Sequence, residues 1–292
     1  MSDMVNHAYV TTNGIRLHCA EQGEGALMLM LHGFPEFWYS WRHQIDEFST
    51  DYKVVAPDLR GYNDSEKPAR VSDYQLSALV EDVRGLIEHY QCDRCILVGH
   101  DWGGAIAWQT AYAYPDLIDQ LIVMNLPHPA KFFEGLQTPQ QLLRSWYFFF
   151  FQLPTLPEWA IAWNDYELIE QAFKGMAKNP DAFSAEDINA FKDAAAKRGA
   201  LTAMVNYYRN IFRTDMMRRD WPTLSIPTLM IWGEDDTALG VELTHGTERY
   251  VEDLTLQYLP NCSHWVQQDQ PERVNEYMRD FLSRFEPDYD SE

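Results

Sequence analysis

Apolar and polar positions follow two periods along this chain, one typical of strands and one typical of helices. The chain starts with two extended runs, 8–12 and 15–19, joined by Asn13-Gly14, a pair that favours a tight β-hairpin turn. Six later apolar runs predict further strands, and segments with helical spacing separate several of them. This alternation predicts a mostly parallel sheet with helices on both faces. The six runs are 26–31, 54–58, 95–98, 118–125, 226–232 and 254–259.

The alternation stops between residues 129 and 220, where the periodicity is helical and no convincing strand occurs. Ser184 followed by Asp187 within this segment resembles a helix-capping signal. Strand and helix patterns then resume towards the C-terminus. The sequence therefore predicts an α/β core domain made of residues 1–128 and 221–292, with residues 129–220 inserted as a helical cap domain.

The composition excludes several classes of partner. Hydrophobic residues make up 46% of the 292 residues, enough for a sizeable core, and the formal net charge of −21 opposes binding to nucleic acid or anionic membranes. Residues 1–7 lack the features of a signal peptide, no apolar run reaches the length of a membrane span, and the four cysteines do not suggest a disulfide framework. We expect a cytoplasmic monomer or homodimer without metal or cofactor, whose acidic tail 286–292 is disordered.

A predicted strand, a sharp turn and a predicted helix meet at Val98-Gly99-His100-Asp101-Trp102-Gly103-Gly104. This is the context of the nucleophile elbow, written G-x-S-x-G in hydrolases, with Asp101 at the position of the serine. The glycines at 99, 103 and 104 supply the small neighbours that such a turn needs. The alternative is an ordinary strand-to-helix turn in which Asp101 caps the helix.

A carboxylate at the elbow narrows the chemistry. It is ionised at neutral pH, so no base has to activate it. It can attack a saturated carbon and form an alkyl ester that water then hydrolyses, whereas a serine would form an inert ether. Asp101 therefore favours displacement at carbon, such as epoxide opening or expulsion of a halide, over esterase or protease chemistry.

The last two predicted strands end in Gly233-Glu234-Asp235-Asp236 and in Ser263-His264-Trp265. With Asp101 they give the order nucleophile, acid, histidine that α/β-hydrolases follow. The ends of parallel strands converge at one edge of a sheet, which favours a role for His264 over that of an isolated histidine. Either aspartate of the first stretch is a candidate for the acid.

Together these stretches resemble the epoxide hydrolases of the α/β-hydrolase fold, over nearly the whole chain. The resemblance implies a small hydrophobic epoxide and water as partners, and a vicinal diol as product. One departure is Asn63, where the family usually has glycine, but asparagine tolerates positive φ. The supporting stretches are His32-Gly33-Phe34-Pro35-Glu36, Asp58-Leu59-Arg60-Gly61-Tyr62, the elbow, Gly233-Glu234-Asp235-Asp236 and Ser263-His264-Trp265.

The resemblance assigns the triad. It makes Asp101 the nucleophile, His264 the general base and Asp236 the acid that orients the base. The family pattern places the acid three residues after the glycine that ends the strand, which favours Asp236 over Asp235. Some related dehalogenases carry the acid after the strand before the insertion, but Asn125 at that position is neutral.

The resemblance also assigns groups around the triad. The backbone N–H groups of Phe34 and Trp102 would form the oxyanion hole, and Tyr147 and Tyr208 from the cap would bind the epoxide oxygen. Phe34, Trp102 and Trp38 are expected to contact the substrate.

Three other functions compete with this assignment. A haloalkane dehalogenase shares the nucleophile, and the Trp102 indole could hold a halide, but Phe34 offers no second polar donor and the cap tyrosines would have no purpose. A fluoroacetate dehalogenase needs an arginine where Trp102 stands. A non-catalytic binding protein of this fold need not retain Asp101, Asp236 and His264 together.

Overall fold

Eight strands form one sheet in the part of the chain that the computed structural model describes, residues 5–211 and 220–285. The predicted hairpin, the six later strands and the mostly parallel sheet are confirmed, with bounds that differ by a few residues. The acidic tail lies outside the described residues. The strands are β1 Asn6–Thr12, β2 Ile15–Gln22, β3 Ala26–Leu31, β4 Tyr52–Pro57, β5 Cys95–His100, β6 Ile118–Met124, β7 Thr228–Gly233 and β8 Leu254–Leu259.

The strand order is β1-β2-β4-β3-β5-β6-β7-β8. Only the pairs β1–β2 and β2–β4 are antiparallel among these strands. The chain moves outward from β3 to β4 in one direction and from β3 to β5 in the other, so the order reverses between β3 and β5. Open parallel sheets bind ligands at such a reversal, beyond the carboxyl ends of the strands. Here β3 leads into His32-Gly33-Phe34 and β5 leads into Asp101, so the fold brings these two stretches together.

Helices surround the sheet, and six of those in the described residues, α4 to α9, lie between β6 and β7. In the described part of that segment, residues 125–211, there is no strand, as predicted. Among the described residues no helix combines the length and apolar character that crossing a membrane requires. The helices are α1 Arg42–Phe48, α2 Leu76–His89, α3 Trp102–Ala113, α4 Pro129–Leu136, α5 Pro139–Arg144, α6 Trp146–Phe150, α7 Leu156–Met176, α8 Ala185–Ala196, α9 Ala200–Asn210, α10 Val266–Asp269 and α11 Pro271–Leu282.

Both faces of the sheet are buried because successive strand residues point to opposite sides. In β3, Leu29 and Leu31 belong to the apolar cluster that α2 and α3 complete. Met28 and Met30 belong to the cluster that α1 and α11 complete. The continuous apolar run of β3 thus reflects a strand covered on both sides, as the sequence predicted.

Local details of the sequence prediction also hold. Asn63 has a φ of 36°, the positive value expected at this departure from the family pattern. Ser184 and Asp187 form a reciprocal capping box at the start of α8. The long helix α7 in the predicted helical segment has non-helical backbone at residues 163–166.

Buried hydrogen bonds attach the helical segment to the sheet and its loops. The Tyr207 hydroxyl donates to the carbonyl of Arg60 over 2.7 Å, and the Asn210 amide donates to the carbonyl of Val71 over 2.6 Å. These bonds fix α9 against the core. The division into a core of 1–128 and 221–292 and a cap of 129–220 stays a prediction, and residues 212–219 lie outside the described residues.

The elbow is held by close backbone contact between α3 and the end of β3. A Cβ on Gly103 would lie 2.0 Å from the carbonyl oxygen of Leu31 and 2.6 Å from that of His32. A Cβ on Gly99 would lie 2.4 Å from the carbonyl oxygen of Gly103. Only glycine permits this approach, so the small residues of the elbow are a packing requirement.

We expect Gly103→Ala to destabilise the protein, because the added methyl group meets rigid backbone and not the end of a flexible side chain. The elbow and the end of β3 would have to move apart, at a cost of about 1–3 kcal/mol. Urea unfolding followed by circular dichroism should show a lower midpoint.

Gly175→Ala, near the end of α7, is the matched control, since a Cβ added there would have no atom within 4 Å. Alanine at this position should leave stability unchanged or raise it by about 0.5–1 kcal/mol. Equal midpoints for Gly103→Ala and the wild-type protein would contradict the packing argument.

Candidate active site

Asp101 occupies a strained position between β5 and α3. Its φ of 48° and ψ of −121° are unusual for a residue with a side chain. The side chain makes no capping hydrogen bond to α3. Instead its Oδ1 accepts a hydrogen bond from the Phe34 N–H over 2.8 Å. The capping alternative therefore does not describe this residue, and the elbow presents the carboxylate to the reversal point of the sheet.

Two opposing effects act on the Asp101 carboxylate. Burial raises its pKa above the ordinary value, because a charge is less stable away from water. The neighbouring His264 and His100, and the backbone N–H groups of Phe34 and Trp102, oppose that rise. The same two N–H groups are the ones that the sequence predicts as an oxyanion hole.

His264 lies between two carboxylates. Its Nδ1 donates to Asp236 Oδ2 over 2.7 Å, and its Nε2 faces Asp101 Oδ2 across 3.7 Å. Asp235 points elsewhere: its half-exposed side chain lies 4.0 Å from Lys178. The structure thus brings together Asp101, His264 and Asp236, and leaves Asp235 outside the group.

The carboxylates govern the protonation of His264. Burial alone would lower its pKa, but Asp236, and after it Asp101, raise the pKa to about 9. The imidazole therefore carries a proton at neutral pH while both carboxylates are charged. Conversion of Asp101 to an ester would remove one of those charges and make His264 a better base.

Asp236 is fully satisfied as an acceptor. Although burial opposes its charge, His264 and its other donors hold the pKa of Asp236 below the ordinary value. Asn125 is one of these donors, and its own Oδ1 accepts from the Gly233 N–H over 3.0 Å. The four donors to Asp236 are His264 Nδ1 at 2.7 Å, Asn125 Nδ2 at 2.7 Å, Ala238 N at 2.7 Å and Leu239 N at 2.9 Å.

Asn125 is a positioning residue that the sequence argument considered only as a candidate acid. Its side-chain NH₂ group donates a hydrogen bond to Asp236. An ionised aspartate at this position could not donate one. Its position directly after β6, beside the ends of β5 and β7, was the signal that could have revealed this role.

A second buried acid, Glu36, supports the loop that carries Phe34. His100 joins this acid to the triad, because its Nε2 donates to the carbonyl of His264 over 2.9 Å. Burial works against the Glu36 charge, yet His100 holds its pKa below the ordinary value. Neither residue was given a role from the sequence. The donors to Glu36 are Gly33 N and His100 Nδ1 at 2.8 Å, Gln267 Nε2 at 2.9 Å and Gln268 Nε2 at 3.0 Å.

Tyr147 from α6 and Tyr208 from α9 lie side by side, with ring centroids 5.8 Å apart. Burial, and then the charge of Asp101, raises the pKa of both phenols well above the ordinary value of 10. Both are therefore protonated at neutral pH and available as hydrogen-bond donors. The Trp102 ring packs edge-on against Tyr208, with ring centroids 5.2 Å apart, and Trp102 partly opposes the rise in the pKa of Tyr208.

Gln152 fixes the two phenols relative to each other. Its Nε2 donates to the carbonyl of Phe148, directly after Tyr147, over 2.9 Å and to the carbonyl of Tyr208 over 2.8 Å. One side-chain amide thus joins α6 to α9. Gln152 was given no role from the sequence.

Two cavities meet at Asp101, one of about 310 Å³ and one of about 30 Å³. Tyr147 and Tyr208 also line both, so these two phenols and the Asp101 carboxylate stand at the junction. The larger cavity is lined also by Phe34, Pro35, Trp146, Phe150, Phe151, Ile161, Leu168, Ile169, Ala172, Met176, Ala238, His264 and Trp265. The smaller is lined also by Trp102, Ala105, Leu126, Pro127, Phe132, Phe148, Ile211 and Leu239.

Trp38 is the predicted substrate contact that the structure places elsewhere. It is not among the described residues that line either cavity. The Trp38 ring packs against His7 and Tyr39, with centroids 5.2 and 5.6 Å away, and the Trp38 backbone N–H donates to Asp58 over 3.1 Å. The turn after Pro35 carries the ring towards the N-terminal hairpin, so proximity to Phe34 in sequence was misleading. Phe34 lines the larger cavity and Trp102 the smaller.

Comparison with known proteins agrees with this geometry. The family model described as alpha/beta hydrolase fold matches residues 26–271. "Epoxide hydrolase 4" of Mus musculus is 43% identical over 286 residues, covering 94% of this chain and 79% of that protein. A crystal structure of a Bacillus megaterium epoxide hydrolase in complex with an inhibitor is 37% identical, has a TM-score of 0.87, and covers 94% of this chain and 100% of that one.

This chain belongs to the epoxide hydrolases of the α/β-hydrolase fold. The fold class predicted from the sequence is therefore confirmed. "AB hydrolase superfamily protein YfhM" of Bacillus subtilis (strain 168) is 40% identical over 286 residues and covers 96% of this chain and 99% of that protein. The similarity thus includes bacterial and animal members of the epoxide hydrolase family at nearly full length of this chain.

We expect the His264 imidazole of this epoxide hydrolase to titrate near pH 9, as the charges of Asp236 and Asp101 require. Asp236→Asn should lower that pKa by about 1–3 units, because one of the opposite charges is lost. The ¹⁵N chemical shifts of labelled histidine, followed against pH, measure both values.

Asp235→Asn is the matched control, since it removes one negative charge from the adjacent residue without touching His264. Its histidine titration should match that of the wild type. A larger shift in Asp235→Asn than in Asp236→Asn would show that the wrong aspartate has been paired with the base.

Proposed function

We propose that this epoxide hydrolase converts apolar epoxides to vicinal diols through a covalent alkyl ester on Asp101. One observation carries the proposal: the Asp101 carboxylate faces His264 on one side and shares both cavity linings with two protonated phenols. A nucleophile, a base for the second step and donors for the leaving oxygen are thus available around one point.

In the first step the two oxygens of Asp101 have different tasks. Oδ1 is held by the Phe34 N–H, whereas Oδ2 makes no such bond and is the oxygen that attacks an epoxide carbon. The C–O bond of the ring breaks, and its electron pair stays on the ring oxygen. Tyr147 and Tyr208 donate hydrogen bonds to that oxygen, and a proton supplied through a phenol converts it to a hydroxyl group.

In the second step water attacks the carbonyl carbon of the ester. His264 accepts a proton from that water, and Asp236 stabilises the imidazolium that forms. The negative charge that develops on Oδ1 is stabilised by the N–H groups of Phe34 and Trp102, and one such donor is typically worth about 3 kcal/mol. Collapse of this intermediate releases the diol and restores the carboxylate.

The protons balance over the cycle if the resting enzyme holds one on His264. That proton replaces the one given to the ring oxygen through the phenol, which leaves His264 neutral for the second step. The proton taken from water then restores the imidazolium. The raised pKa of His264 in the resting state is consistent with this sequence.

The phenols favour an epoxide over a haloalkane. A halide leaves as a stable anion, whereas an alkoxide requires hydrogen-bond donors or a proton. The Phe34 side chain carries no polar group, so it cannot act as a second halide donor beside the Trp102 indole. The cytoplasmic location and the monomeric or homodimeric state stay predictions from the sequence.

We expect Asp101→Ala to abolish diol formation, because no other group in the site can form the ester. His264→Gln should still be alkylated but should not release product, since an already ionised carboxylate needs no base for its attack. Intact mass spectrometry after epoxide treatment should show His264→Gln heavier by one substrate.

The double variant Asp101→Ala/His264→Gln is the control, and it should show no added mass. A folded Asp101→Ala protein that forms diol at a near-normal rate would refute the assignment of the nucleophile. An unmodified His264→Gln protein at saturating reactive epoxide would argue against a covalent ester.

We expect Tyr147→Phe and Tyr208→Phe each to slow alkylation by about 10²–10⁴-fold, the usual range for loss of a positioned acid, and the double change to nearly eliminate it. The rate of mass increase in the His264→Gln background isolates this step.

Tyr207→Phe is the matched control for these changes. Tyr207 is a buried phenol next to Tyr208, but its hydroxyl donates to Arg60 and it lines neither cavity. Its loss should affect stability more than alkylation. A folded double variant that opens epoxides at the wild-type rate would require a different proton donor.

A further inference from the structure

The two cavities at Asp101 differ about tenfold in size, with volumes of about 310 and 30 Å³. Asp101, Tyr147 and Tyr208 line both of them. An epoxide ring held between the carboxylate and the phenols therefore has one carbon directed to the larger cavity and the other to the smaller. The size of each cavity limits the group that each carbon can carry.

The smaller cavity suits an apolar substituent better than a water molecule. Away from the reacting groups its wall is apolar and includes Ala105, Leu126, Phe132 and Leu239. A buried water needs two or more polar partners, and an apolar wall offers none. Because about 10–15 Å³ of such volume holds one water-sized group, 30 Å³ holds two of them, the size of an ethyl group.

The wall of the smaller cavity is also more rigid than the wall of the larger cavity. Ala105 lies on α3, one turn after the elbow, and Leu126 follows directly after Asn125. The backbone N–H of Leu239 donates to Asp236 over 2.9 Å. Displacement of this wall by a large substituent would move the residues that hold the nucleophile and the acid, so a bulky group there disturbs the reaction.

The wall of the larger cavity is built differently. Much of it comes from α6 and α7, and it includes Trp146 and Leu168, whose side chains are 63% and 46% exposed. A bulky substituent on this side can extend towards solvent between these side chains. The larger cavity thus sets no comparable limit on the length of its substituent.

We propose that this enzyme selects apolar epoxides with a bulky group on one ring carbon and no group larger than ethyl on the other. This substrate class rests on the proposed epoxide hydrolysis at Asp101. It includes terminal epoxides and those with a short second alkyl group. It excludes epoxides in the middle of a long chain and those with two aromatic groups.

The test is a series of five epoxides that share a phenyl group on one ring carbon. The other carbon carries only hydrogen in the terminal epoxide, and methyl, ethyl, n-butyl or phenyl, trans to the first phenyl group, in the other four. Diol formation by the wild-type enzyme gives kcat/KM for each. We expect comparable values up to ethyl, and values lower by about 10- to 100-fold for n-butyl and phenyl, as overpacking of a rigid wall predicts.

Leu239→Ala should raise the n-butyl to methyl ratio of kcat/KM by about tenfold, because it enlarges the smaller cavity. Met176→Ala makes a comparable deletion in the larger cavity and should leave that ratio unchanged. Phe132→Leu provides a second enlargement of the smaller cavity if Leu239→Ala does not fold.

Each outcome of the series decides one question. Equal kcat/KM for all five epoxides, or a fall that Met176→Ala relieves and Leu239→Ala does not, would overturn the substrate class while leaving epoxide hydrolysis intact. No diol from any member, including the terminal epoxide, would count against the proposed function itself. Equal values across the wild-type series would overturn the substrate class without any variant.

Discussion

The site depends on one strained turn at the point where the order of the parallel strands reverses. Asp101 has a positive φ, and Gly103 packs its α-carbon against the backbone at the end of β3. The strain is stable only because the surrounding sheet and α3 fix both ends of the turn. The Asp101 carboxylate makes no capping hydrogen bond to α3 and accepts a hydrogen bond from the Phe34 N–H instead. His264, Tyr147 and Tyr208 are all arranged around that carboxylate.

Charge is the second requirement that the fold has to meet. Asp101, Asp236 and His264 are all buried, and buried charges are tolerated only when they are paired and hydrogen-bonded. The His264 imidazolium lies between the carboxylates of Asp101 and Asp236, so each of the three charges has an opposite charge beside it. Because its pKa rises from the unfolded value of about 6.5 to about 9, it stabilises the folded protein fully below pH 6.5, and this contribution is lost as the pH rises through 9. Asp236, whose pKa is lowered, stabilises the fold at higher pH and loses that contribution on acidification.

The sequence predicted the parts of this arrangement that leave a local pattern. The elbow has its glycines, the strands have their apolar runs, and His264 follows the last strand. Gln152 and His100 could not be placed in the same way, because each acts through hydrogen bonds to residues far away in sequence. The spacing of residues in the sequence does not predict hydrogen bonds over such long separations. Trp38 shows the opposite case. It is close in sequence to Phe34, but a turn directs its ring away from the cavities that Phe34 and Trp102 line.

The helices of the inserted segment were predicted least well, and their composition explains this. The helix α6 is five residues long and entirely aromatic, so it has no polar face from which a period of 3.6 could be recognised. Trp146 and Phe149 of α6 are large, apolar and exposed, so apolar character does not indicate burial in this helix. A sequence pattern reveals a helix when one face is apolar and the other polar, and α6 has no such contrast between its faces. It is positioned by the Gln152 bridge to α9 and by packing around Tyr208.

The nucleophile comes from the sheet and the phenols come from the helical segment, and the movement of charge in the proposed reaction explains this arrangement. Before alkylation the negative charge is on Asp101, and afterwards it would be on the ring oxygen in front of Tyr147 and Tyr208. The charge of Asp101 raises the pKa of both phenols, which keeps them protonated but also disfavours a second negative charge nearby. The conflict resolves itself because the carboxylate loses its charge as the ring oxygen gains one. The net charge of the site is therefore unchanged, and the phenols need only stabilise the displaced negative charge until the ring oxygen takes a proton. Donors for that displaced charge have to stand on the opposite side of the substrate from the nucleophile, which explains why they come from the helical segment and not from the sheet.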